Sequence, residues 1–238
     1  TKYAFMTVDG GIVQSDAVEK DFLSLFPRKK FINTPHPVYT IFGDTLSKDE
    51  ARKLLNLSDE KVILFFGYIR AYKGLDILIE AMPHILRNFP VKLVVVGESY
   101  EKDDKYREQI KRLGLENSVI LNTDYVPNDE VGKYFSAADV VVLPYKSATQ
   151  SGIVQIAYNF DKPVIATDVG GLAEVVLNDK TGYIVEPNQP EKLAEAVVKF
   201  YSDNKENYFV SNVQIEKKKY SWDRMVESIE KLYQNLIN

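Results

Sequence analysis

The sequence predicts an α/β protein: a doubly wound, parallel six-stranded sheet, preceded by a short α/β segment and followed by helices. Three observations carry that prediction. From residue 61 onward, short apolar runs alternate with segments of helical periodicity, the pattern of successive βαβ units. The apolar runs are nearly continuous in Val, Ile and Leu, as strands buried on both faces are. Gly or Pro closes several of those runs and helices, marking turns between elements.

The elements follow in order. GGIVQSDAVEKDFLSLF (10–26) reads as a strand, a Ser15 or Asp16 cap and a helix, and KKFINTPHPVY (29–39) as a strand ending in a Pro-rich turn. KVILFFG (61–67) is the first strand of the main sheet. In 75–89, Leu75, Leu78, Ile79, Met82, Ile85, Leu86 and Phe89 recur at helical spacing, and Pro83 predicts a kink. VKLVVVG (91–97) is the second strand, and 105–114 is a polar helix closed by Gly114. SVILN (118–122) is the third strand, followed by a short helix over 128–138 with Asn128 as its cap. DVVVLP (139–144) is the fourth strand. A helix (151–160), the strand PVIAT (163–167), a helix (171–178) and the strand GYIV (182–185) come next. Pro190 sits just inside the start of a helix over 189–203, and 204–238 is further helix. Residues 1–57 are expected to be the end of a preceding domain plus a linker, and 58–238 a ligand-binding domain. The first segment reads as the middle of something longer, so a fragment is expected.

Composition narrows the function. The chain has 238 residues with 34 acidic against 30 basic, a net charge of −4. That balance argues against nucleic acid as the main partner. There is no cysteine, which rules out disulfides and thiolate metal sites and suits a reducing compartment. No apolar run approaches the ~18 to 20 residues that cross a bilayer. A cytoplasmic protein is expected. EKKKYSW (216–222) is either a solvated helix end or a peripheral contact with the anionic inner membrane surface.

In a doubly wound sheet, ligands bind outside the carboxyl ends of the strands. The loops there are Tyr68–Gly74, Gly97–Ser99, Asp124–Pro127, Tyr145–Gly152 and Asp168–Gly171. Ser147, Ala148, Thr149, Ser151 and Gly152 are small, so backbone can approach a ligand closely. The helix start that follows should expose the N–H groups of Gly152, Ile153 and Val154, an anion site reinforced by the helix dipole. Gly170 and Gly171 repeat the arrangement one strand over. The competing reading is that these small residues only cap helices. Arg70 offers a planar fork and Lys73 a compact charge for phosphate; the bland alternative is two solvated surface charges. Tyr125 and Val126 would present backbone groups and an apolar face to a base, or simply pack ahead of Pro127. Glu174 is expected to cap its own helix. Together the loops point to a nucleoside diphosphate or similar ligand.

Other chemistries find little support. His36 lies between prolines and His84 follows Pro83, so neither belongs to a recognisable triad or metal cluster. No G-x-G-x-x-G follows the first strand, no P-loop occurs, and no D-x-D pair occurs. No metal ligand is assigned.

FFGYIRAYKGLDILIEA (65–81), VVVGE (94–98), DYVPNDEVGKYFSAADVVVLPY (124–145), QSGIVQIAYNFDKPVIATDVGGLAEVV (150–176), TGYIVEPNQPEKLAEAV (181–197) and YSWDRM (220–225) occur in that order. As a set they resemble the C-terminal, donor-binding half of retaining glycosyltransferases of family 4, which pair two Rossmann-like domains in the GT-B fold. The stretches IVQS (12–15) and PHPVY (35–39) look like the segment joining the two domains.

The resemblance implies transfer of a sugar from a nucleoside diphosphate sugar to a sugar, glycan, lipid or small-molecule acceptor, with no metal or other cofactor required. It implies that Arg70 and Lys73 hold the diphosphate and act in catalysis. Ser151, Gly152, Ile153 and Val154 would meet phosphate, Tyr125 and Val126 the base, and Gly170 and Gly171 the donor. Residues 1–57 would then end an acceptor domain. Two departures stand out. The family's arginine falls at Tyr68, so Arg70, two residues on, takes its place. The family's two glutamates before the helix are absent: Thr149, Gln150 and Gln155 occupy that region, and Gln155 is left to meet the ribose. With most of an acceptor domain lacking, the chain is expected to bind nucleotide weakly without turnover. Two alternatives are a non-catalytic nucleotide- or protein-binding module of the same fold and a nucleotide-sugar 2-epimerase.

Overall fold

The computed structural model describes residues 6–99 and 103–237. Valine- and isoleucine-rich runs form the main sheet: β3 (Lys61–Phe66), β4 (Val91–Val96), β5 (Val119–Asn122), β6 (Val140–Leu143), β7 (Val164–Thr167) and β8 (Gly182–Val185). All six are parallel in the order β5-β4-β3-β6-β7-β8. Side chains alternate across the sheet. Ile63 and Phe65 of β3 enter one buried cluster with Leu78, Met82 and Phe200. Val62, Leu64 and Phe66 enter the other with Phe135, Tyr158 and Val141. Apolar side chains cover the sheet on both faces, which is why its strands lack polar alternation.

Helices fill the crossovers: α3 (Leu75–Leu86), α4 (Asp104–Arg112), α5 (Asn128–Ala137), α6 (Gly152–Asn159), α7 (Leu172–Val175) and α8 (Pro190–Ser202). α9 (Glu206–Glu216) and α10 (Trp222–Ile237) complete the chain. Before the sheet, β1 (Gly10–Val13), α1 (Asp16–Leu25) and β2 (Lys30–Asn33) form a parallel two-stranded unit. α2 (Lys48–Leu54) follows. It was not anticipated, although Ser47 and Glu50 form a capping box at its start, a pattern readable in sequence. Buried Asp139 ties α2 to the sheet: it accepts from Lys48 Nζ at 2.8 Å, Arg52 Nη2 at 2.9 Å and the Val62 N–H at 2.7 Å.

Several local expectations need correction. α3 continues through Pro83 and ends at Leu86, three residues before the expected end at 89. Pro127, not Asn128, occupies the cap position of α5, and Asn128 is its first helical residue. α7 is only one turn long because Thr181 Oγ1 takes the Leu177 N–H at 2.9 Å and the chain turns into β8. Glu174 does cap a helix, but a distant one: its carboxylate accepts from the N–H groups of Asp16 at 2.7 Å and Ala17 at 3.1 Å, at the start of α1.

These contacts bring the early segment to the carboxyl end of the sheet. Between β3 and β6 the strand order changes direction, and the helices that follow these two strands, α3 and α6, pack on opposite faces of the sheet. That switch point is where doubly wound sheets bind ligands.

Candidate functional site

β3 ends at Phe66, and the chain leaves it through Gly67, whose φ of +101° favours glycine. A Cβ there would lie 2.9 Å from Ile153 Cδ1 and 3.0 Å from Lys73 Nζ. The loop then makes a single 3-10 turn, Ala71–Lys73, in which the Lys73 N–H donates to the Arg70 carbonyl at 2.9 Å. The turn swings Lys73 inward. The Lys146 N–H donates to the Tyr72 carbonyl at 2.7 Å, locking the loops after β3 and β6 together.

Lys73 is 7% exposed. Its Nζ lies 5.7 Å above the Tyr145 ring, and among the described residues no carboxylate pairs with it. Burial, helped by the nearby Arg70 charge, pulls its pKa down from 10.5 to about 8. A buried, charge-repelled lysine is costly to keep protonated, and an anion placed beside it would relieve that cost. Residues 70 and 73 are therefore close neighbours after β3, but Lys73 is buried while Arg70 is exposed and does not line the cavity that Lys73 lines.

Lys73 lines a cavity of about 280 Å³. Gly67 and Tyr68 come from the β3 loop, and Gly97 and Glu98 from the β4 loop. Tyr125, Val126 and Asn128 come from the β5 loop and the start of α5, with Val131 one turn on. Ile153 and Ile156 of α6 form the far wall, and Phe42 closes one side. Four of the residues picked from sequence therefore converge here: Lys73, Tyr125, Val126 and Ile153.

The others sit elsewhere. Ser151, Gly152, Val154, Gln155 and Gly171 line a separate narrow crevice with Gln14, His36 and Gln150. Two of the three N–H groups expected to be open at the α6 start are already used. Ser151 Oγ accepts from the Ile153 N–H at 3.2 Å, and the Ser151 carbonyl accepts from the Val154 N–H at 3.2 Å. A serine at this position competes for the donors an anion would need. Gly152 lies under Tyr39: an added Cβ would be 3.1 Å from Tyr39 Cε2. The Tyr39 hydroxyl is in turn 2.8 Å from His36 Nε2. Gly171 fits against Ser15, and its N–H donates to the Thr149 carbonyl at 2.8 Å. Gly170 has φ of +55°, and a Cβ there would be 2.0 Å from the Ala148 carbonyl oxygen. The glycine turns thus make room for the chain's own early segment and neighbouring loop. Gln155 is 2% exposed and turned from the cavity that holds Lys73. Ile153 and Ile156 take the cavity face of α6, and a helix turns about 100° per residue.

Glu98, Phe42 and Ile156 line the cavity without having been singled out. Glu98 was within reach of sequence reasoning, because it directly follows the second strand of the sheet. Among the described residues no group of three His, Asp or Glu is placed to hold a metal ion. None of the helices is long and apolar enough to cross a membrane, again among the described residues.

A doubly wound sheet with a buried lysine beside a cavity at its switch point defines a Rossmann-like α/β domain. Residues 60–203 match the family described as glycosyl transferases group 1, and the chain belongs to that family. An uncharacterized glycosyltransferase of Methanocaldococcus jannaschii is 35% identical over 179 residues, covering 74% of this chain and 45% of that protein. The chain spans about half the length of the curated relatives it matches. The fold is similar to that of sucrose-phosphate synthase from Thermosynechococcus elongatus (TM-score 0.82, 23% identity, 99% of this chain and 60% of that one). It is also similar to HepE from Anabaena, solved with UDP and glucose (TM-score 0.77, 23% identity, 96% of this chain and 63% of that one). These likenesses establish the GT-B type of sheet.

Proposed function

We propose that this chain is the donor-binding half of a retaining glycosyltransferase that takes a nucleoside diphosphate sugar. Residues 58–238 form the donor domain, and 1–57 end an acceptor domain and link it to the sheet. The observation that carries the proposal is Lys73: buried, without a carboxylate partner among the described residues, and depressed to about 8. It lines a cavity at the switch point. The complex of the Anabaena relative with UDP and glucose supports a ligand of this class.

The chemistry follows from where charge develops. As the anomeric C–O bond to the donor breaks, negative charge accumulates on the departing diphosphate. Fixed cations aimed at those oxygens lower the barrier, because they are oriented before the reaction begins. Lys73 and Arg70 supply that charge and do work that a divalent metal does elsewhere. Tyr125 and Val126 receive the base. The α6 start gives the diphosphate little: Ser151 occupies the Ile153 and Val154 N–H groups, and Gly152 lines the other crevice beneath Tyr39. Gln155 takes no part in ribose binding, because it faces the other crevice. The acceptor, a sugar, glycan or lipid, would be met by residues in the other half of the relatives' length. This chain alone binds nucleotide without turnover.

Isothermal titration calorimetry with UDP and GDP tests the reading. Binding of at least one, lost when inorganic pyrophosphate competes in excess, is expected. A folded sample that gives no heat with either nucleotide overturns it.

A further inference from the structure

We infer that Glu98 is the hydroxyl-reading residue of the pocket: its carboxylate accepts from the ribose of a nucleotide whose diphosphate lies on Lys73. The inference rests on the donor-binding reading above. Three observations lead to it.

The first is order along the rim. The loops after β5, β4 and β3 are neighbours because those strands are neighbours, and adjacent strands lie roughly 4.8 Å apart. A nucleoside diphosphate is also linear: base, ribose, diphosphate. With the diphosphate held after β3 by Lys73 and the base placed after β5 by Tyr125 and Val126, the ribose falls over the β4 loop. That loop carries Gly97 and Glu98 into the cavity.

The second is what the opposite wall lacks. α6 faces the cavity with Ile153 and Ile156, which offer a ribose no hydrogen bond. Gln155, the polar residue between them, lines the other crevice. Glu98 is the sole carboxylate lining the cavity among the described residues. An ionised carboxylate is acceptor-only and can take two donors at once, which matches a vicinal diol.

The third is that the Glu98 side chain is unspent while its backbone is fixed. Its carbonyl accepts from the Ile69 N–H at 2.9 Å, and the preceding Gly97 N–H donates to the Asn122 carbonyl at 3.1 Å. The carboxylate itself makes no hydrogen bond or ion pair among the described residues, and Lys73 does not pair with it. A cavity that keeps one cation and one carboxylate apart suits a ligand with an anionic end and a hydroxyl-bearing middle.

Calorimetry on the whole chain tests this with UDP, GDP and ADP, each alongside its 2′-deoxy and 3′-deoxy counterparts. The wild-type protein should bind the ribonucleotide at least about fivefold more tightly than either deoxy form. In Glu98→Gln, checked for unchanged thermal unfolding, ribonucleotide affinity should fall the most and its advantage over the deoxy forms should shrink toward unity, each deoxy form losing less because it keeps one hydroxyl. Equal binding of ribo and deoxy forms by the wild type overturns the inference without needing any variant. So does an equal loss for all nucleotides in Glu98→Gln, which would mark a base contact or a packing role. Either result leaves the donor-binding reading intact. Failure of the folded wild type to bind any nucleotide overturns that reading and this inference together.

Discussion

Replacing Lys73 with methionine should make the protein more stable and worse at binding diphosphate. Methionine keeps the length and the apolar stem while deleting the charge. In the folded chain Lys73 is 7% exposed, and its pKa falls from 10.5 to about 8. At about 1.4 kcal/mol per tenfold change in proton affinity, holding it charged at pH 7 costs about 3 kcal/mol relative to the unfolded chain. Lys73→Met removes that cost, so urea unfolding at pH 7 should show a gain of about 1 to 3 kcal/mol. The same variant loses a charge-assisted contact of about 1.5 to 3 kcal/mol with phosphate, so nucleotide Kd should rise tenfold or more. The wild type's own stability carries the matching sign. Between about 8 and 10.5 the unfolded chain binds more protons at this group than the folded chain does, so stability rises with pH across that window. Lys162 adds to the same slope: burial lowers it to about 8 while it donates to the carbonyls of Ser136 and Ala138. Lys73→Met should therefore flatten the rise without abolishing it. A variant that is less stable and binds nucleotide as before would refute the reasoning.

Three further outcomes follow from the same geometry. Nucleotide affinity should hold steady below pH 7 and weaken as pH rises past about 8, where free Lys73 loses its proton; calorimetry in buffers of different ionisation enthalpy near that pH should record proton uptake on binding. Gln155→Met should leave nucleotide Kd within about twofold and leave stability unchanged or higher, because the buried Gln155 Oε1 has no hydrogen-bond partner among the described residues. Gly170→Ala should destabilise by about 2 kcal/mol or more, read from urea or thermal unfolding, since its φ of +55° and the Ala148 carbonyl 2.0 Å from an added Cβ both oppose a side chain.

Elements whose neighbours are local were legible from sequence. β3, β4, β6 and β7 are near-continuous apolar runs with a turn at each end, so their burial and parallel pairing follow from composition. The rim of the sheet then names the loops that matter, and Lys73, Tyr125, Val126 and Ile153 do meet there. What sequence hid is set by distant contacts. Gly152 is small because Tyr39 covers it, and Gly171 because Ser15 does; no pattern near either glycine signals those partners. Glu174 looks like a local cap yet serves α1. The orientation of Gln155 depends on where α6 begins, since a shift of one residue turns a side chain by about 100°. The burial of Lys73 is equally unreadable, because two basic residues three apart look like a solvated pair until the 3-10 turn folds one inward.

A crystal structure with a nucleoside diphosphate bound tests the central claim most directly. The account predicts density for the diphosphate against Lys73 and Arg70, the ribose over the Gly97–Glu98 loop and the base beside Tyr125 and Val126. Density for the diphosphate in the crevice beside His36 and Gly171, with the cavity at Lys73 empty, would contradict it.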